Sequence, residues 1–226
     1  MRLGVLFSGG KDSAFACWKA MQKEEVVCLI TIVSRNPESY MFHTPNIRFA
    51  ALQAESAGLP LLEMETEGEE ETELLDLRHA LLSARERFGI EGVVTGAILS
   101  VYQATRLQRV CYELGLWCFN PLWLADQEGY MEELLDAGFR VVITGVFASP
   151  FDESWLGREI DRRTLDELRA VARKDRITLT GEGGEFETFV IDAPFFSRRI
   201  VIEEGSRVYR NHNGVLRIER ARLVGR

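Results

Sequence analysis

The chain has 226 residues, 46% of them hydrophobic and 27% charged, with a formal net charge of −8. That is the balance of one large globular domain, or of one domain with an appendage, able to form a core without disulfides. The acidity argues against a nucleic-acid partner, since domains that grip phosphate backbones are usually basic. No apolar run approaches the ~18 residues needed to span a bilayer, so the sequence is read as cytoplasmic with no membrane partner.

Residues 3–7 are apolar but too few for a signal peptide, and polar Ser8-Gly9-Gly10-Lys11-Asp12 follows at once. This run reads as a buried strand. Residues 12–22 read as an amphipathic helix, and 26–33, apolar and rich in β-branched residues, as a second buried strand. Asn46 is placed to cap a helix over 47–57, which Gly58 and Pro60 end. Residues 61–64 form a strand, 71–88 a helix ended by Gly89, 92–95 a strand, and 103–114 a helix ended by Gly115. A helix over 131–137 and a strand over 140–146 complete the series. Strands alternating with helices imply an α/β fold with a doubly wound, mostly parallel sheet. Ligands bind such sheets beyond the carboxyl ends of the strands, so the segments at Ser8, Ser34 and Gly96 are expected to share one crevice.

The pattern changes after about residue 148. One more helix, over 165–173, is followed by a Gly/Glu-rich string and by alternating stretches at 200–204 and 215–218. Between those stretches lies Asn211-His212-Asn213-Gly214, an Asn-Gly hairpin signal. The division expected is a nucleotide-binding domain over 1–149 and a smaller α+β, acceptor-binding subdomain over 150–226. Cys17, Cys28, Cys111 and Cys118 form no Cys-x-x-Cys pair and read as reduced core residues. The glutamates at 67, 69, 70, 71 and 73 and the arginines from Arg198 onward read as solvated surface. The sequence leaves monomer and homodimer both open.

Ser8-Gly9-Gly10-Lys11-Asp12-Ser13, between a strand and a helix, has the makings of an anion site. Glycines let the backbone approach oxygens closely, and amides at a helix N-terminus direct partial positive charge at phosphate. Lys11 adds a full charge, while Ser8 and Ser13 add hydroxyl donors. Asp12 suits Mg²⁺ or a cap. The spacing is not that of a Walker A loop, which requires Gly-x-x-x-x-Gly-Lys-Ser/Thr. A tight strand-to-helix turn is the competing reading, and five consecutive suitable residues in the right slot outweigh it.

The loop resembles the pyrophosphate loop of the ATP pyrophosphatase (PP-loop) superfamily, with its adenine nucleotide alpha hydrolase-like fold. Three further stretches resemble one branch, the diphthine–ammonia ligases: Glu38-Ser39-Tyr40-Met41-Phe42-His43-Thr44, Asp152-Glu153-Ser154-Trp155-Leu156-Gly157-Arg158, and Gly181-Glu182-Gly183-Gly184-Glu185-Phe186-Glu187-Thr188. The resemblance implies ATP-dependent amidation of the diphthine carboxylate on translation elongation factor two, with ammonium as nitrogen source and AMP and pyrophosphate as products. ATP and Mg²⁺ are the implied cofactors. Lys11, Asp12 and Glu185 become candidate catalytic residues, with Asp12 the candidate Mg²⁺ ligand. Ser8 to Ser13, Val33, Ser34, Gly96 and Arg106 are candidates for the nucleotide. His43, Trp155, Glu182, Gly183, Gly184, Glu185, Glu187 and Thr188 are candidates for the acceptor. The glutamates suit a cation, and Trp155 suits the face of a trimethylammonium group. One departure is Ala104, where the family pattern has arginine after Tyr-Gln; Arg106 then has to reach the phosphate. The alternatives are a tRNA-modifying PP-loop enzyme, of thiolation or lysidine type, and a non-catalytic ATP sensor. The charge of −8 and the cysteine spacing oppose the first. The intact Lys11-Asp12-Ser13 opposes the second.

Overall fold

The computed structural model describes residues 1–36, 46–68 and 70–226. The chain opens with β1 (Arg2–Leu6), α1 (Lys11–Met21) and β2 (Glu25–Ser34). A 3₁₀ turn at Ile47–Phe49 leads into α2 (Ala50–Ala57), then β3 (Leu61–Thr66) and α3 (Glu70–Phe88). Next come β4 (Gly92–Val94), α4 (Val101–Leu114) and β5 (Trp117–Phe119). The five strands are parallel, in the order β3-β2-β1-β4-β5. Winding runs one way from β1 and the other way from β4, so a crevice opens where those two neighbours part. Leu3, Val5 and Phe15 lie in one core, while Ile30, Ile32, Leu77 and Leu107 lie in the core on the other face. Burial on both faces is why β2 reads as a continuous apolar run.

Helix α5 (Gln127–Asp136) and strand β6 (Arg140–Val146) follow, then α6 (Arg162–Asp175), β7 (Phe186–Asp192), β8 (Arg199–Arg210) and β9 (Asn213–Val224). The last four strands make an antiparallel sheet in the order β7-β6-β9-β8. The strand at 140–146, expected to continue the parallel series, therefore belongs to the second sheet. Its apolar run is equally compatible with either sheet, and only its partners decide. The hairpin turns at Asn211 and His212, with φ of 51° and 60°, two residues before the Asn-Gly pair. Two positive φ values fit a type I′ turn. Asn46 is not a side-chain cap; its amide instead donates to the Leu216 carbonyl at 2.9 Å and accepts from the Ile218 amide at 2.7 Å, tying the 3₁₀ turn to β9. Among the described residues, no helix is long and apolar enough to cross a membrane.

Candidate functional site

The loop between β1 and α1 is built as an anion cradle. Gly9 has φ of +80°, a conformation glycine adopts at little cost. Gly10 is the N-cap of α1 and, lacking a side chain, supplies no side-chain cap to the helix start. The Ser8 and Ser13 hydroxyls lie 3.1 Å apart, and Ser13 also accepts from the Ser8 amide at 3.2 Å. Lys11 is 2% exposed. Its ammonium donates to both Asp12 oxygens at 2.9 Å and to the Thr180 carbonyl. The Tyr130 hydroxyl donates to Asp12 Oδ1 at 2.8 Å. Burial first, and the charge of Asp12 next, push the Tyr130 phenol well above its ordinary pKa, so it stays a donor.

Strand β7 abuts this loop from the second sheet. The Lys11 amide donates to Thr188 Oγ1 at 3.1 Å, and the Val190 amide donates to the Gly9 carbonyl at 3.0 Å. The result is one cavity of about 510 Å³, lined on one side by Ser8, Gly10, Lys11, Asp12 and Ser13. Gly181 to Gly184, Phe186, Glu187 and Thr188 line the other side, and Ile30, Ile32, Leu77 and Leu107 give the cavity an apolar end. Gly96 lines it too, and a Cβ there would come within 2.6 Å of the Asp12 backbone, so the position needs glycine. The size suits a small-molecule site.

The glutamates of the string occupy three different environments. Glu182 Oε1 accepts from three successive amides, Ile98, Leu99 and Ser100, at 3.1, 2.9 and 3.1 Å, at the entrance to α4. Glu185 does not line the cavity; its two oxygens accept from the Thr178 amide at 2.6 Å and hydroxyl at 2.7 Å. The expectation that Glu185 faces the reacting centre is corrected accordingly. Glu187 does line it, and Oε2 is enclosed with no hydrogen-bond partner among the described residues. Desolvation pushes its carboxyl up to about 8.

Other expected contacts fall elsewhere. Trp155 is a core residue, packed edge-on against Phe151 at 5.1 Å, with the Arg158 guanidinium 4.3 Å from its ring centroid. Its face is taken from within, so it is not presented to a ligand cation. Val33 and Ser34 do not line the cavity, whose apolar end is made by Ile30 and Ile32 of the same strand; Ser34 Oγ bonds Asn36 instead. Arg106 stacks on Tyr102, 3.4 Å from its ring centroid, and is absent from the lining, whereas Gln103 and Leu107 of α4 are present. Ala104 is buried. His43 and its stretch lie outside the described residues.

Two residues of the site have no sequence signal. Gln53, fully buried on α2, donates from Nε2 to the carbonyls of Gly9 at 2.9 Å and Val190 at 2.8 Å, clamping loop to strand. Tyr130 reaches Asp12 across 118 positions. An isolated glutamine or tyrosine in an amphipathic helix looks like any other, and only the fold brings these two to the loop.

Fold and cavity together define an α/β protein with a phosphate-type loop at a switch point, facing an acidic string from a second sheet. By its sequence the chain belongs to the diphthamide synthase family: the model of the diphthamide synthase N-terminal domain matches residues 1–118, and that of the C-terminal domain residues 126–224. It is similar to the diphthine–ammonia ligases of Bos taurus and Homo sapiens, each 32% identical over 90% of this chain and 83% of the relative. A Schizosaccharomyces pombe relative of the same name is 31% identical over 90% of this chain and 36% of its own length. Among solved structures, a predicted subunit of tRNA methyltransferase from Methanocaldococcus jannaschii overlaps with a TM-score of 0.46, at 15% identity, over 85% of this chain and 97% of that one.

Proposed function

We propose that this chain is a diphthine–ammonia ligase, forming a C–N bond by ATP-dependent amidation of the diphthine carboxylate on elongation factor two in the cytoplasm. The observation that carries the reading is the single cavity shared by the Ser8–Ser13 loop and the Gly181–Thr188 string. A ligase of this kind needs a phosphate grip and an acceptor grip within bond-forming distance. The first sheet then holds the nucleotide and the second, which already includes β6 at Arg140–Val146, the acceptor.

In this scheme the loop amides and the Ser8 and Ser13 hydroxyls hold the β- and γ-phosphates, and Lys11 compensates the charge that grows as pyrophosphate leaves. The acceptor carboxylate attacks the α-phosphorus, giving an acyl-adenylate, and ammonia then displaces AMP. Asp12 is the residue that fits Mg²⁺. Asp12 lines the cavity, and this ion is commonly held by one or two carboxylates together with substrate phosphates. When bound, Mg²⁺ neutralises phosphate charge. Until then Lys11 and Tyr130 hold the same carboxylate in place. The adenine falls at the Ile30 and Ile32 end, where apolar side chains can cover its faces. Family membership favours this assignment over a tRNA-modifying enzyme or a sensor. The discriminating assay is pyrophosphate release from ATP, which a ligase gives only with acceptor present and a sensor never gives.

A further inference from the structure

Ammonia is almost wholly protonated to ammonium at neutral pH, and a protonated nitrogen has no lone pair with which to attack. A nitrogen site must therefore hold a cation and then take a proton from it. Glu187 is equipped for both. It stands on β7 beside Thr188, which is bonded to the Lys11 amide, and it lines the cavity. Its enclosed Oε2 has no partner among the described residues. A buried carboxyl oxygen without a donor is costly, so it marks a place for a donor from outside the chain.

The surrounding groups leave that oxygen to a ligand. Glu182 is held by three amides and Glu185 by Thr178. The β6 position paired with Glu187 is Gly145, whose Cβ would meet Glu187 Cβ at 3.2 Å, so β6 sets no titratable group against it. Lys11, Asp12 and Glu182 are the other charged residues lining the cavity, and Lys11 is already engaged by Asp12 and the Thr180 carbonyl.

We propose that Glu187 is the ammonium subsite and the base that turns ammonium into ammonia, an inference that rests on the amidation reading above. Ammonium gives one proton to Glu187 Oε2, leaving neutral ammonia and a neutral carboxylic acid. Two opposite charges vanish together in a site that disfavours both. The ammonia lone pair then forms the C–N bond at the acyl carbon, the C–O bond to AMP breaks, and its electron pair leaves with AMP. The surplus proton on nitrogen passes to water. A carboxyl raised to about 8 is a stronger base, once ionised, than an ordinary glutamate.

The test compares the full-length wild type, Glu187→Gln and Glu187→Asp with ATP, diphthine-bearing elongation factor, and either ammonium chloride or hydroxylamine, which is mostly uncharged at neutral pH. Glu187→Gln is expected to lose ~100-fold in ammonium-dependent amidation at pH 7, the scale of a missing general base. The loss should shrink as alkaline pH supplies free ammonia. Hydroxamate formation and ATP–pyrophosphate exchange should stay near wild type, and Glu187→Asp should recover part of the ammonium rate. If the glutamine variant fails to fold, the aspartate variant carries the comparison, with a loss confined to ammonium. Unchanged ammonium dependence overturns the proposal, and so does an equal loss with both nucleophiles. A wild type that exchanges pyrophosphate yet modifies the factor with neither nucleophile would overturn the function beneath it instead.

Discussion

Burying a lysine ammonium is tolerated only where something negative meets it, and Lys11 has the Asp12 carboxylate and the Thr180 carbonyl. Lys11→Ala should cut adenylation by at least ~100-fold, as the loss of one preorganised charge does. At 2% exposure the variant should also lose ~1–3 kcal/mol through partners left unmet. Stopped-flow adenylation and thermal melting measure the two effects, and near-normal turnover would make Lys11 a bystander. Glu185→Gln, by contrast, should keep amidation within a few-fold, because that side chain serves Thr178 rather than the cavity; a dead variant would return it to the chemistry. Glu187 has its own pH signature. Its folded pKa, about 8, lies above the ordinary 4.5, so the native state binds the extra proton and stability falls as pH rises between those values. Glu187→Gln removes that slope. The unfolding free energy of the variant relative to wild type should climb from pH 5 to pH 8, by at most ~1.4 kcal/mol per pH unit, with its melting temperature rising in step. Parallel melting curves would contradict it.

At the scale of elements, the site depends on close approach between β4, α1 and β7. Gly96 follows β4, and a methyl there would stand 2.6–2.8 Å from the Asp12 and Ser13 backbone, so Gly96→Ala must push α1 away. The expected cost is ~1–3 kcal/mol of stability together with most of the nucleotide affinity, read by melting and calorimetry. Unaltered ATP binding would show that the loop tolerates the shift. The strand-to-helix turn at Ser8–Ser13 was legible in sequence because its signals are local: a strand, two glycines and a helix start are contiguous. The acidic string was legible as a composition, but the direction of each glutamate was not. Glu185 and Glu187 are two apart, which in a regular strand would share a face. Glu185 precedes β7, however, and bends back to Thr178, a partner fixed by the loop rather than by periodicity. Trp155 failed as a ligand cover for a similar reason, since Arg158, three residues on, takes its ring. Strand β5, three residues long, is below the length at which apolar patterning separates from coil.

For the whole molecule, the two sheets meet where function is proposed. Strand β7, from the antiparallel sheet, is hydrogen-bonded to the phosphate loop of the parallel one, and Gln53 pins both. The central claim is amidation itself. Purified protein, ATP, Mg²⁺ and ¹⁵N-ammonium would be incubated with diphthine-bearing elongation factor two, and the modified peptide analysed by mass spectrometry. Incorporation of one ¹⁵N atom as the amide, dependent on ATP and accompanied by AMP and pyrophosphate, is the predicted result. A factor that remains a carboxylate under those conditions, with active wild-type protein able to bind ATP, would contradict the account.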